Sequence, residues 1–358
     1  MKNRLLFLAF IVSVSISAGA QNNREELIFS PVVEVKATSV KDQSQTSTCW
    51  SFATTSFIES ELLRLGKGEY DLSEMYIVRH NYIDRLNDNY QRWGKGNTSE
   101  GGLSHDWLKI FIQHGIVPDE VYTGLNYGSP RHNHSELNRY LNAVAETSVE
   151  LKSQSDPYHK TVESILDVWL GETPDNFTYK GLSYTPMSFA ESLGINPDDY
   201  VEITSYTHFP FYSKGVLEIP DNWRMAQSYN VPIDEFMQII DNALNTGYTI
   251  GWDGDVSEDG FLDTRGMAIF PSSNVTQEMR QKMFENFTTT DDHMMHITGI
   301  AKDQNGNKYY ITKNSWGPES NSNGGYLHMS EQYVRAKTVF IIVNKNSIPQ
   351  SIRAKLGV

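Results

Sequence analysis

A single cysteine, Cys49, stands in a chain of 358 residues. No intramolecular disulfide can form, so the fold must be held by a hydrophobic core and not by covalent staples. The material for such a core is present. Hydrophobic residues make up 39% and aromatics 12% of the chain, enough for one large domain or two lobes. The cysteine's setting is unlike that of an inert core thiol. It follows the polar, turn-forming run Gln43-Ser-Gln-Thr-Ser-Thr48 and precedes Trp50-Ser-Phe-Ala53. From Trp50 onward Phe52, Ser56, Phe57, Ser60, Leu63 and Arg64 fall at spacings of three and four, which predicts a helix that Gly66 closes. Ser47 and Thr48 are natural N-caps for it. Cys49 then sits in the first helical turn, where unpaired amides and the macrodipole favour a thiolate.

The rest of the chain divides by pattern. A second helix is expected after Ser73, its cap, running to about Leu86, and a third over Ser104–His114. The span 130–170 is helical and amphipathic in part. From about residue 177 the signal turns to strands: Phe177-Thr-Tyr-Lys180, Val201–Tyr206, Tyr248–Trp252, His296–Ala301, Lys308–Lys313 and Val339–Val343. Ile233–Asn245 reads as a helix between two of them, and Pro31–Ala37 alternates like a lead-in strand. The expected architecture is α+β: a helical lobe over about 40–175 that carries the thiol, and a β-rich lobe over about 176–345. A tail over 346–358 would follow. A site in the cleft between lobes is the natural consequence.

Charge and termini narrow the function. The formal net charge is −14 and no basic stripe is present, so nucleic acid is not an expected partner. Lys2 and Arg4, the apolar run Leu5–Ile16 and Ala18-Gly-Ala20 make a leader expected to end at residue 20. The run is too short to span a membrane. Export to a periplasm or outside the cell is therefore expected, with no membrane association after cleavage. An unpaired cysteine in an exported chain points to a reactive thiol or to an intermolecular bond.

A thiolate nucleophile needs a base. Of ten histidines, His296 opens a β-patterned run and is followed by Lys313-Asn314-Ser-Trp-Gly317. A hairpin would bring Asn314 beside His296, its amide oxygen accepting the ring N–H, with Trp316 covering the bond. Other chemistries find no support. Asp253–Asp259 departs from a calcium loop at the positions that need glycine and glutamate. His293 and His296 lack the further ligands of a zinc site. No metal or other cofactor is expected.

Gln43 with Cys49-Trp-Ser-Phe52, His296 and Asn314-Ser-Trp-Gly317 together resemble the papain-like cysteine peptidases. Met294-Met-His296, Tyr70-Asp-Leu-Ser-Glu-Met-Tyr76, Glu100-Gly-Gly102 and Ile116-Val-Pro118 with Val121-Tyr122 are similar to the bleomycin hydrolase and bacterial aminopeptidase C branch. The resemblance implies a papain-like two-lobe fold over 21–358 and peptide substrates cleaved by a Cys-His-Asn mechanism. Cys49 would be the nucleophile, His296 its partner, Asn314 the orienting amide and Gln43 the oxyanion donor, with Gln45 as rival. Gly101, Gly102 and Trp316 would contact substrate. The resemblance also implies a homo-oligomer, hexameric in that branch, and a C-terminus that enters the cleft and restricts action to N-terminal residues. Residues 130–230 match poorly and read as an insertion. An open-cleft endopeptidase and a catalytically silent peptide-binding protein are the alternatives.

Overall fold

The computed structural model describes residues 27–358, so the expected leader lies outside the described residues. The chain begins with β1 (Phe29–Glu34) and then enters α1 (Cys49–Arg64), the helix around which both lobes are arranged. Nearly every α1 side chain from Trp50 to Leu62 is buried, polar ones included. That explains its weak amphipathic pattern: a helix packed on all sides needs no polar face. Its acids are each satisfied. Glu59 accepts from Thr38 Oγ1 (2.5 Å) and the Leu72 amide (2.9 Å), and Glu61 accepts from Asn344 Nδ2 (2.8 Å) and Arg64.

The helical lobe continues with α2 (Glu74–Gln91), α3 (Ser104–His114), α4 (Ser135–Leu151) and α5 (Asp156–Leu170). Ser73 caps α2 as its sequence predicts, its hydroxyl accepting from the Tyr76 amide at 3.0 Å. The helices α4 and α5 pack on each other and on α2 through Leu137, Leu141, Val162 and Leu166. Next come the hairpin β2 (Phe177–Tyr179) and β3 (Leu182–Tyr184), and α6 (Pro186–Leu193). Phe177, Tyr179, Tyr184 and Phe189 form one aromatic cluster within the helical lobe's core. The change of lobe expected at about residue 176 therefore falls later, at the strand that begins with Tyr200. Residues 177–184 do pair as strands, but their partners are each other and their apolar faces belong to the helices.

The second lobe holds β4 (Tyr200–Thr204), β5 (Lys214–Val216), β6 (Gln227–Asn230), α7 (Ile233–Asn245), β7 (Ile250–Gly254), β8 (Phe261–Leu262) and β9 (Met267–Ala268). It continues with α8 (Gln277–Glu285), β10 (His293–Asp303), β11 (Lys308–Lys313), β12 (Tyr326–Ser330), α9 (Glu331–Lys337), β13 (Thr338–Asn344) and α10 (Gln350–Leu356). The strands join in one sheet of order β5-β6-β4-β13-β7-β10-β11-β12-β9-β8. The long strand β10 is its spine. Residues 293–297 pair with β7, residues 299–303 pair with β1, and the other edge pairs with β11. β1 thus stitches the start of the described chain to the β-rich lobe before the chain crosses to α1. The core of this lobe, built from Phe236, Ile240, Trp252 and Tyr310 among others, also takes Ile352 and Leu356 of α10.

Candidate active site

The cleft between the lobes is lined by Gln43, Cys49, Trp50, Gly101, Gly102, His293, Met294 and Trp316, and has a cavity of about 400 Å³. Segments far apart in the chain build it. Cys49 is the first residue of α1 and is half-buried, directly after Thr48. Thr48 occupies the cap position without a side-chain bond to the helix; its hydroxyl meets that of Thr46 at 2.6 Å. The run before it forms a tight loop. The Gln43 amide donates to Ser315 O (2.8 Å), the Gln43 side-chain Nε2 donates to Thr46 O (2.8 Å), and Gln43 Oε1 accepts from Ser315 Oγ (2.6 Å). These bonds pin Gln43 beside the thiol. Gln45 is directed elsewhere, toward Asn133 Nδ2 at 2.6 Å, and does not line the cleft.

The glycine loop, from the same lobe as Cys49, flanks the thiol's loop. Trp50 Nε1 donates to Glu100 O (3.1 Å), and the Glu100 carboxylate accepts from the Ser47 amide (2.8 Å), so this loop and the thiol's loop hold each other. Both glycines are required sterically. A Cβ on Gly102 would come within 2.8 Å of the Trp50 indole, and one on Gly101 within 1.9 Å of Asp221 Oδ2.

The histidine expected in the cleft is not the one found there. His293 Nε2 bonds Asn314 Oδ1 at 2.7 Å, and the Trp316 ring lies over the imidazole with centroids 4.7 Å apart. His296 points the other way. Its Nδ1 bonds Ser56 Oγ at 2.8 Å, its Nε2 has no partner, and Lys313 Nζ donates to the same Ser56 hydroxyl at 2.7 Å. Strand geometry decides between them. In the β10–β11 ladder His296 stands opposite Lys313, on the face directed at α1. Asn314, the next residue, turns to the other face. His293 lies an odd number of residues from His296, so it shares that other face. The expected pairing of His296 with Asn314 is thereby corrected to His293 with Asn314. The acidic pair Asp291-Asp292 directly before His293 was the available sequence signal.

Burial dominates the electrostatics of both histidines and of the thiol, and keeps the thiol neutral against the pull of the helix head. Burial lowers the His293 imidazole to about 4, against the raising effect of its bond to Asn314. Burial, and then the Lys313 ammonium, hold His296 well below the ordinary histidine range, so it is neutral in the interior. Burial pushes the Cys49 thiol up to about 12; a hydrogen bond with the Met294 backbone opposes this, and negative charge on Asp253, Asp291 and Asp221 adds to it. Among the described residues no group of three or more His, Cys, Asp or Glu is arranged to hold a metal ion.

The tail also departs from expectation. Instead of entering the cleft, residues 350–356 form α10, which buries Ile352 and Leu356 in the β-rich lobe's core. Lys355 pairs with Glu235 of α7, and none of residues 346–358 lines the cleft. Burying these two apolar side chains, worth about 1.5–3 kcal/mol each, stabilises the tail in this position.

With the geometry in hand, likeness to known proteins becomes informative. A model of the Peptidase C1-like family matches residues 95–357, a span that begins after the Cys49 segment. Aminopeptidase C of Listeria innocua is 23% identical over 406 residues, covering 98% of this chain and 90% of that protein. Bleomycin hydrolase of Mus musculus is 20% identical over 397 residues, covering 92% of this chain and 85% of its own. The crystal structure of PepW from Lactobacillus rhamnosis superposes with a TM-score of 0.74 at 19% identity, over 92% of this chain and 84% of that one. The fold is accordingly papain-like, α+β and two-lobed. On these grounds the chain belongs to the Peptidase C1-like family, as a cysteine peptidase of the branch that contains aminopeptidase C and bleomycin hydrolase.

Proposed function

We propose that this protein is an exported peptidase in which Cys49 is the nucleophile, His293 the base, Asn314 its orienting partner and Gln43 the oxyanion donor. The observation that carries the reading is the His293–Asn314 bond beneath Trp316, in the same cleft as Cys49. An amide oxygen only accepts, so His293 Nε2 carries the ring proton and Nδ1 is left to take the thiol's proton. The sulfur then attacks the substrate carbonyl carbon. The oxyanion is held by the Gln43 side-chain Nε2–H and the Cys49 backbone N–H at the head of α1. The imidazolium returns its proton to the leaving amine as the C–N bond breaks, leaving a thioester. Water, deprotonated by His293, attacks the thioester and releases the acid and the thiol.

Release of N-terminal residues is the first reading, supported by the names of the aminopeptidase relatives. The docked tail favours a second, an open-cleft endopeptidase, because nothing from residues 346–358 closes the groove. Mapping the products of a long peptide separates them: stepwise N-terminal residues for the first, internal cuts for the second. Cys49→Ala is expected to remove turnover of fluorogenic peptides and labelling by an electrophilic thiol probe while the unfolding temperature holds; a folded variant that still turns over rejects the assignment. Export rests on the residue pattern at 1–20 and predicts a mature N-terminus at Gln21, readable by N-terminal sequencing of protein recovered outside the cytoplasm.

A further inference from the structure

The cleft carries negative charge that the thiol chemistry does not use. Asp221, Asp253, Asp291 and Asp292 all line it, and no lysine or arginine does. Asp253, on β7, is fully buried, and neither of its carboxylate oxygens meets an N–H or hydroxyl of another residue type, nor does Oδ2 of neighbouring Asp291; the two carboxyls bond only each other, through a shared proton. A buried carboxylate without a donor costs several kcal/mol unless it is protonated or meets a cation. Asp221 is anchored from behind: its Oδ1 accepts from Asn97 Nδ2 (3.1 Å) and pairs with Arg85 (3.2 Å), while its Oδ2 lies against the Gly101 backbone. An extended peptide paired along the Gly101–Gly102 edge would therefore run beside one carboxylate and toward two more that bond only each other.

We propose that Asp253 and Asp291, with Asp221 beside them, form a subsite for a positively charged nitrogen of the substrate, either its α-ammonium or a lysine or arginine side chain. This deepens the peptidase reading above and rests on it. Asp253 and Asp291 face each other. Burial raises both; the Asp291 charge adds to this for Asp253, and the Asp221 and Asp292 charges add to it for Asp291, which reaches about 7 although its hydrogen bond with Asp253 lowers it. A cation entering the site displaces the proton that the pair shares and gives its oxygens donors. None of residues 346–358 lines the cleft, so these side chains, and not the tail, would recognise a free N-terminus or a basic residue there.

The test uses aminoacyl and dipeptidyl coumarylamides, each with a free or acetylated N-terminus and each with leucine or arginine. They are assayed on the wild type, Asp253→Asn and Asp253→Asn/Asp291→Asn, and the readout is a ratio of kcat/KM values. A fall of tenfold or more in the free-to-acetylated ratio identifies the α-ammonium; the same fall in the arginine-to-leucine ratio identifies the side chain. Both ratios staying within twofold of the wild type in a folded variant overturns the proposal. Should the double variant not fold, Asp253→Asn alone is read by the same criteria. Affinities of the same compounds for Cys49→Ala, with and without Asp253→Asn, are measured by calorimetry. Cation preference that depends on Asp253 there, without turnover in the wild type, leaves the subsite standing and rejects the peptidase reading. Turnover with unmoved ratios does the reverse.

Discussion

The two histidines of β10 offer a crossed prediction, because replacing each by alanine should damage a different property. In His293→Ala the Asn314 oxygen loses one donor but keeps the Ser315 amide at 2.8 Å, so the loss of stability is on the order of 1 kcal/mol. Activity, in contrast, loses its base. General acid–base catalysis is worth about 10²–10⁴-fold, or roughly 3–5 kcal/mol of barrier. In His296→Ala the balance inverts. The imidazole is 1% exposed, and its removal leaves the Ser56 hydroxyl without its acceptor beside a buried Lys313. An orphaned buried donor costs about 1–3 kcal/mol and the cavity adds to that, giving roughly 2–4 kcal/mol. For a chain of this size that corresponds to a fall of roughly 3–6 °C in melting temperature. The kcat/KM of the folded fraction should change by less than about threefold. The assay pairs thermal unfolding with initial rates on a fluorogenic peptide at a temperature where both variants are folded. If folded His296→Ala is inactive while His293→Ala retains its rate, the strand-face argument is wrong, and with it the proposed roles.

Three further outcomes follow from the same geometry. Gln43→Ala should lower kcat by about 10²–10³-fold, the usual effect of deleting an oxyanion donor, whereas Gln45→Ala, whose amide faces Asn133, should leave it unchanged; equal effects would reject the choice of donor. Gly101→Ala should impair turnover, since its new Cβ would sit 1.9 Å from the Asp221 carboxylate; wild-type kcat/KM in that variant would show the loop moves freely. The third concerns acid. Burial lowers His134 to about 3, and its Nδ1 meets the Tyr82 hydroxyl at 2.9 Å. A depressed folded value means the unfolded chain takes up the proton first, so the group's contribution is intact above about pH 6.5 and is lost as pH falls toward 3. The slope is about 1.4 kcal/mol per pH unit at most. Denaturant unfolding at pH 7, 6, 5 and 4 should show a shallower decline in His134→Gln, and parallel curves would refute the assignment.

Much of the architecture was legible along the chain because it is local. The limits of α3 and α7 match the expected spans, and Ser73 caps α2, since apolar spacing and cap chemistry act within a few residues. The same is true of Cys49 at the head of α1, and of the loop from Gln43 that leads to it. Those features needed no knowledge of what packs against them. The second lobe's limit was misplaced for the opposite reason. Residues 177–184 have strand composition, but only the packed structure shows that their aromatic faces belong to the helices.

The amino-acid order by itself determined where the lone thiol stands, the helix that presents it, the glycine loop and the Asn314-Ser-Trp316 turn, all of them short-range patterns. Tertiary structure alone decided which histidine serves the cleft, because two residues an odd distance apart on one strand face opposite ways and only the β11 register says which face is inward. It alone brought Asp221, Asp253 and Asp291 together from three separate segments, and it alone sent the last helix to the lobe's core. Alternation along a strand is written in every sequence; the side on which the partner lies is set by contacts between residues far apart in the chain.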